Sequence, residues 1–209
     1  LLNMLINLQY SMTIDIQSRA MRYTSEHKQQ SRLKIIEAAR GLFRRHGFDG
    51  ASIDQVMEAA GLTRGAFYAH FSSKEDLIDE VLTVEAGLTA ALHHATGETD
   101  PAAAKAAVIA NYLSPTERMN NATGCPLVAH PVDAVRGTDI RRGGYTDRFK
   151  ALLAGLDSSE GNGAGEASDD AVVMAVLLVG GALLSAAIDD NALADRIEDL
   201  SLERVISLL

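Results

Sequence analysis

The stretch Ile53–Phe71, IDQVMEAAGLTRGAFYAHF, constrains this chain more than any other. Val56, Ala60, Leu62 and Phe67 are spaced so that two short helices share an apolar interior, and Gly61 stands where the chain must turn between them. Ser52 ahead of Ile53, with Gln55 three residues on, is a capping-box start. Thr63 opens the second helix, predicted over 64–71, and Ser73 opens a further one running from Lys74 toward Ala95. Two short helices across a tight turn are the geometry of a helix-turn-helix, whose second helix enters a major groove and offers its first residues to base edges. Thr63, Gly65 and Ala66 are small enough to admit the groove wall, and Arg64 is long enough for a two-pronged contact with guanine. Tyr68, His70 and Lys74 offer a phenol, an imidazole and an ammonium to phosphates, contacts that set register without reading sequence. Ser52 completes the candidate DNA-facing set. His70 has a second reading, as a brace for the helix end, and Phe67 reads as core.

Charge supports this only when it is divided. The whole chain carries 19 basic and 28 acidic side chains, a formal charge of −9 that argues against an anionic polymer as partner. The first 83 residues hold ten of each sign, so the excess acid belongs to the remainder. Within residues 19–46, Arg19, Arg22, Lys28, Arg32, Lys34, Arg40, Arg44 and Arg45 face only Glu26 and Glu37. A locally basic head therefore precedes an acidic body. The basic run at its start is either a solvated arm or an arm that reaches a minor groove.

The remaining pattern is helical throughout. Ile35, Ile36, Ala39, Leu42 and Phe43 mark an amphipathic helix over 31–46, closed by Gly47. Leu77, Ile78, Val81, Leu82, Leu88 and Leu92 form the stripe of the helix that Ser73 opens. Asp100-Pro101 opens another to about Leu113, and Ser114-Pro115 a shorter one. Asn120–Gly124 reads as a turn, Pro126 starts a helix to Val135, and Tyr145, Phe149, Leu152, Leu153 and Leu156 mark one from about Asp139. Residues 158–168 are small and Gly-rich, a flexible connection, before an apolar helix at 171–188 and a last helix to Leu209. The expected fold is all-α: a three-helix DNA-binding domain with a helix-turn-helix, then a larger helical effector and dimerisation domain. Its expected divisions are an N-terminal extension over 1–21, a head over 22–76 and a body over 77–209.

Composition removes other classes. The single cysteine, Cys125, excludes an internal disulfide framework, and the six histidines lack metal-site spacing, so no metal or other cofactor is expected. The apolar run 171–188 touches the lower limit for a membrane span, but it is Ala- and Gly-rich and flanked by aspartates rather than basic anchors. Burial against protein is the preferred reading. The first twenty residues lack a basic n-region and do not read as a signal peptide, so a cytoplasmic location is expected.

From about Arg32 to Val81 the sequence resembles the TetR family of bacterial transcriptional repressors. The resemblance rests on Ile35-Ile36, Ala38-Ala39, Leu42-Phe43, Gly47-Phe48, Ser52-Ile53, the run 60–65, Phe67-Tyr68, His70-Phe71, Ser73-Lys74 and Leu77, about 50 of 209 residues. It implies a homodimer that binds a palindromic operator and leaves it when a small molecule binds the body. By position it makes Thr63, Arg64, Gly65 and Ala66 the groove residues, and Tyr68, His70 and Lys74 the backbone contacts. Residues 22–28 and the Gly124-Cys125-Pro126 turn resemble one subgroup of the family, some of whose members respond to electrophiles.

In the body, Cys125 reads either as a small buried residue or as a thiol sensor at a helix start. Tyr112, Met119, Cys125, Leu127, His130, Tyr145, Phe149 and Met174 are the candidates for an effector pocket. A homodimer is expected to pair through helices around 139–156 and 170–188, where small residues such as Ala175, Gly180 and Gly181 allow close approach. No converging nucleophile, base or metal set is present, so an enzyme is not expected. The competing reading is a helical protein-interaction adaptor on a TetR-like fold without DNA binding. Acidic residues in place of Arg64, Tyr68 or Lys74 would favour it, and none stands there.

Overall fold

The computed structural model describes residues 27–83, 87–157 and 167–209, and every regular element among them is helical. The first helix, α1, covers 27–50. It is followed by α2 (Ile53–Ala59), α3 (Arg64–Phe67), α4 (Lys74–Thr83), α5 (Leu88–Ala95) and α6 (Pro101–Tyr112). Then come α7 (Arg118–Gly124), α8 (Pro126–Ala129), α9 (Pro131–Arg136), α10 (Asp139–Leu156), α11 (Asp169–Ala187) and α12 (Asn191–Ile206). The expected extension over 1–21, the basic Arg19 and Arg22, and residues 158–166 of the Gly-rich connection lie outside the described residues.

Two apolar cores organise these helices. In the head, Ile35, Ile36, Ala39 and Phe43 of α1 pack with Phe48, Val56, Met57, Phe67 and Phe71, and with the apolar side of α4. Phe43, Phe48 and Phe67 are fully buried, and each contributes on the order of 2–3 kcal/mol of transfer free energy. In the body, α5, α6, α8, α10, α11 and α12 converge on Leu92, Ile109, Leu127, Leu156, Leu178 and Val205. Leu77, Ile78, Val81 and Leu82 all belong to the head's core, so α4 is packed as part of the head.

Several boundaries differ from the sequence pattern: α1 runs over 27–50 rather than ending at 46 before Gly47, and the short helix expected from Ser114-Pro115 begins at Arg118. The second helix of the pair stops at Phe67 rather than Phe71, because the amides of Ala69 and His70 bond three residues back, to Ala66 and Phe67. The helix opened by Ser73 is divided: α4 ends at Thr83, and Gly87 (φ 61°) precedes α5. The segment read as a turn at 120–124 is part of α7. The helix expected from Pro126 to Val135 breaks at His130. Pro131 has no N–H to give the Leu127 carbonyl, and the Tyr145 hydroxyl donates to that carbonyl instead, at 2.7 Å.

Head and body meet around Arg141 of α10. Its guanidinium is buried, donates to Glu75 of α4 (2.7 Å) and to Asp49 at the end of α1 (2.8 Å), and lies 5.6 Å from the centre of the Phe48 ring. His130 also stacks on Phe48, at 4.3 Å; it is 3% exposed and paired through Nδ1 with Asp133 at 3.0 Å. Gly137 is required here by close approach, since a Cβ would stand 2.5 Å from Arg141 Cδ and 2.6 Å from the Asp133 carbonyl. Hydrogen bonds from Arg141 hold both Glu75 and Asp49 below the ordinary carboxylate range.

Arg141→Met is expected to cost about 2 kcal/mol in urea unfolding, the scale of a charge-assisted hydrogen-bond set with one exposed member. Because the carboxylates titrate low when folded, this contribution is complete above the ordinary Glu value of 4.5 and fades as pH falls through the folded-state value. The gap between wild type and Arg141→Met should therefore narrow on acidification below about pH 4.5. A gap independent of pH from 3 to 7 (roughly, the carboxylate range and above) would contradict the pairing.

Candidate nucleic-acid interface

The helix pair is built by local chemistry. Ser52 Oγ accepts from the Gln55 amide at 3.2 Å while Gln55 Oε1 accepts from the Ser52 amide at 2.8 Å, the reciprocal cap its spacing predicts. Gly61 turns the chain at φ 67°, a conformation that costs an L side chain about 1 kcal/mol or more. Thr63 sits at the N-cap of α3 without a side-chain capping bond, so its hydroxyl is not committed to its own helix. Val56, Met57 and Phe67 are buried between the helices.

What remains outside is the set the sequence singled out. Thr63, Arg64 and Gly65 are exposed, Ala66 is half-buried, and Tyr68 is 58% exposed. A Cβ on Gly65 would meet nothing within 4 Å, so nothing inside the chain requires glycine there. The bare backbone at the start of α3 suits close approach by another molecule. Arg64 is not idle: Nη1 donates to Asp54 of α2 at 2.7 Å, with both side chains more than half exposed. An exposed pair of this kind is worth under about 1 kcal/mol, so a partner that offers a better acceptor can take the guanidinium.

The remaining three are placed differently from one another. Ser52 spends its hydroxyl on the cap. His70 is half-buried, and its Nδ1 is shut away without a hydrogen-bond partner. Burial, followed by nearby Lys28 and Arg32, lowers the imidazole pKa and favours its neutral form. That supports the bracing reading of His70 over an ionic phosphate contact. Lys74, in the first turn of α4, is half-buried, its pKa lowered chiefly by burial, in the field of Asp49, Arg141 and Glu75. Arg32, which pattern reading took only as part of a basic run, reaches Glu80 at 2.6 Å and lies 5.0 Å from the Phe71 ring centre, fastening α1 over the helix pair.

The body's candidates scatter. A mostly apolar cavity of about 460 Å³ opens between α5 and α6, lined by Gly87, Leu88, Ala91, Ala107, Val108, Asn111 and Tyr112. Of the eight residues expected at an effector pocket, Tyr112 is at this one. Cys125, Leu127 and Met174 are buried in the body's core, with Tyr145 and Phe149 packed against it. His130 stacks on Phe48 at the joint, and Met119 is 62% exposed. Cys125 is 8% exposed and lies against the Tyr112 hydroxyl, and burial with the thiol nearby pushes both Tyr112 and Tyr145 up, Tyr145 to about 12. The alanines at 91 and 107 are the signal that pattern reading passed over, small side chains that leave room between two helices. Among the described residues no cluster of His, Cys, Asp and Glu is suited to a metal ion.

Comparison with known proteins follows this division. Residues 35–81 match the model of the bacterial regulatory proteins, tetR family. The transcriptional repressor AcnR of Corynebacterium efficiens is 43% identical over 54 residues, 26% of this chain and 29% of its own length. The transcriptional regulator AcrR of Shigella flexneri is 40% identical over 60 residues, 29% of this chain and 28% of its own. The matched stretch thus spans under a third of the length of these curated relatives. The fold extends further: the reduced form of Escherichia coli NemR superposes with a TM-score of 0.64 at 20% identity, over 84% of this chain and 94% of NemR. With its helix pair, caps and turn in that arrangement, the head of this chain is similar over residues 35–81 to the bacterial regulatory proteins of the tetR family.

Proposed function

We propose that the chain is a sequence-specific DNA-binding transcriptional repressor that acts as a homodimer on a palindromic operator and is released by a small molecule. The observation that carries this is the exposed start of α3: Thr63, Arg64 and Gly65 stand free of the core on a helix fixed by Phe67 beneath it. In this reading α3 enters the major groove, Arg64 exchanges Asp54 for a guanine edge, and Tyr68 and Lys74 meet the backbone on either side. Ala66 lines the groove wall, while Ser52 and His70 position the helix pair.

The pairing surface we assign differs from the one the sequence pattern suggests. The apolar side of α10 is spent on the chain's own core, through Leu152, Leu156, Tyr145 and Phe149. The exposed apolar stripe lies instead on α11 (Val172, Val173, Val176, Leu183, Leu184) and continues on α12 (Leu193, Leu200, Ile206). These two helices pack along each other. Gly180 falls on the same stripe with open space at its Cβ, where a facing helix can approach closely. By length and composition α11 also suffices to cross a membrane. Its Ala171, Met174, Ala175, Leu178 and Ala182, however, face the core, and a second copy covers the opposite side in this reading. The cavity between α5 and α6 is the proposed effector site, and its apolar lining suits a largely apolar molecule.

Arg64→Ala is expected to weaken operator binding by about 1–3 kcal/mol and to relax the preference at one base pair in each half-site. Equal losses on operator and scrambled duplex would remove Arg64 from base reading. Lys74→Ala should weaken all duplexes alike and make the dependence of log K on log salt shallower by about one per subunit. Sedimentation tests the pairing face: Val176→Glu with Leu184→Glu should yield monomers, whereas Thr146→Glu with Lys150→Glu on α10 should leave dimers intact.

A further inference from the structure

Between head and body lies a second cavity, of about 240 Å³, which of the residues expected at an effector pocket includes His130 alone and none of the DNA-contact set. One wall is α1, which contributes Glu37, Arg40 and Arg44 on successive turns, and the facing wall is the α7–α8 junction at Gly124 and Pro126 with His130 beyond it, while Val81 and Gly87 close the side. Arg44 forms no ion pair among the described residues, and Arg40 has only a loose one, 3.7 Å to a Glu37 side chain that is 77% exposed. Gly124 leaves the guanidinium open to the cavity: a Cβ there would stand 3.9 Å from Arg44 Nη1.

We infer that this cleft is a binding site for a small organic monocarboxylate. The charge selects the class. Two guanidiniums and one carboxylate leave a single net positive charge, the His130 imidazole being buried and already paired with Asp133, and one carboxylate neutralises that charge where a phosphate dianion overshoots it. Planar guanidinium forks match a carboxylate with two parallel hydrogen bonds, and Arg44 is free to supply them. The lining also has an apolar part in Val81 and Pro126, both buried, which offers a surface to the carbon skeleton. At about 30 Å³ per water the volume corresponds to roughly eight waters, room for an acid of that many heavy atoms. The site joins α1 of the head to the α7–α8 junction of the body, so its occupant touches both halves.

Isothermal titration of the full chain at constant ionic strength tests the assignment, with butyrate, its neutral amide butyramide, and inorganic phosphate as probes. Butyrate should bind saturably, and both butyramide and phosphate at least tenfold more weakly. Arg44→Met, a change at an exposed side chain, should weaken butyrate about tenfold or more. Glu37→Gln should strengthen butyrate severalfold, a gain that damage to the fold cannot produce. Absence of saturable butyrate binding, equal affinity for butyramide, tighter binding of phosphate, or indifference to both substitutions would each overturn the site. Operator binding is read separately on the same preparations. A chain that grips duplex DNA and takes no carboxylate loses this site and keeps the proposed function, and one that takes carboxylate but no duplex does the reverse.

Discussion

The buried guanidinium of Arg141 is the interaction on which the arrangement of this molecule depends. It reaches from α10 of the body to carboxylates on two different helices of the head, Asp49 and Glu75, and lies over the Phe48 ring on the way. Beyond the roughly 2 kcal/mol that its loss is expected to cost, this set of bonds fixes orientation. Its effect is geometric. A planar fork with fixed hydrogen-bond directions admits few head-to-body angles, and Phe48, held between Arg141 and His130, removes the freedom that remains. In a dimer paired through the body, that angle sets the separation of the two α3 helices, and half-sites one turn of duplex apart, about 34 Å, leave little tolerance.

Against that fixed joint, the reading surface is loosely held. Arg64 rests on Asp54 through an exposed ion pair, and Gly65 touches nothing with its missing side chain. A residue that must exchange partners is best kept in a shallow well, since any stabilisation of the free state is subtracted from binding. The contrast between the buried Arg141 and the exposed Arg64 is therefore functional in the proposed reading. One arginine fixes where the head points, and the other remains available to what the head meets.

The parts of this fold legible in the sequence are those decided within a few residues. Ser52 with Gln55, the turn at Gly61 and the Ser73 and Asp100 caps obey short-range rules, and the structure forms each of them. The apolar stripes were equally legible, but a stripe does not name its partner. The stripe of α10 packs on its own chain's core, and α11, apolar on both sides, gives no direction in sequence. His130 shows the same limit more sharply: nothing near it in sequence says that Phe48, 82 positions earlier, stacks on its ring. The cavity between α5 and α6 was hidden because a cavity is made by side chains too small to fill it, Ala91 and Ala107, whereas pattern reading weighs the large ones.

The two cavities are not independent features of the body. Gly87 borders both. Tyr112, in the wall of the apolar one, lies against Cys125, whose chain neighbours Gly124 and Pro126 line the other. A side chain displaced at Tyr112 therefore presses on the α7–α8 junction, which faces Arg44 of α1. Cys125, small and 8% exposed, fills the space between the two. A ligand in either cavity alters the head angle only through a difference in its affinity for two angles. The apolar cavity borders α5 and α6 of the body, where such a difference must be relayed. The charged cleft is bounded by the head itself, so any change of angle alters the distance from Arg44 to Gly124 directly. For equal binding free energy, an occupant of the cleft accordingly has the shorter mechanical path to α3.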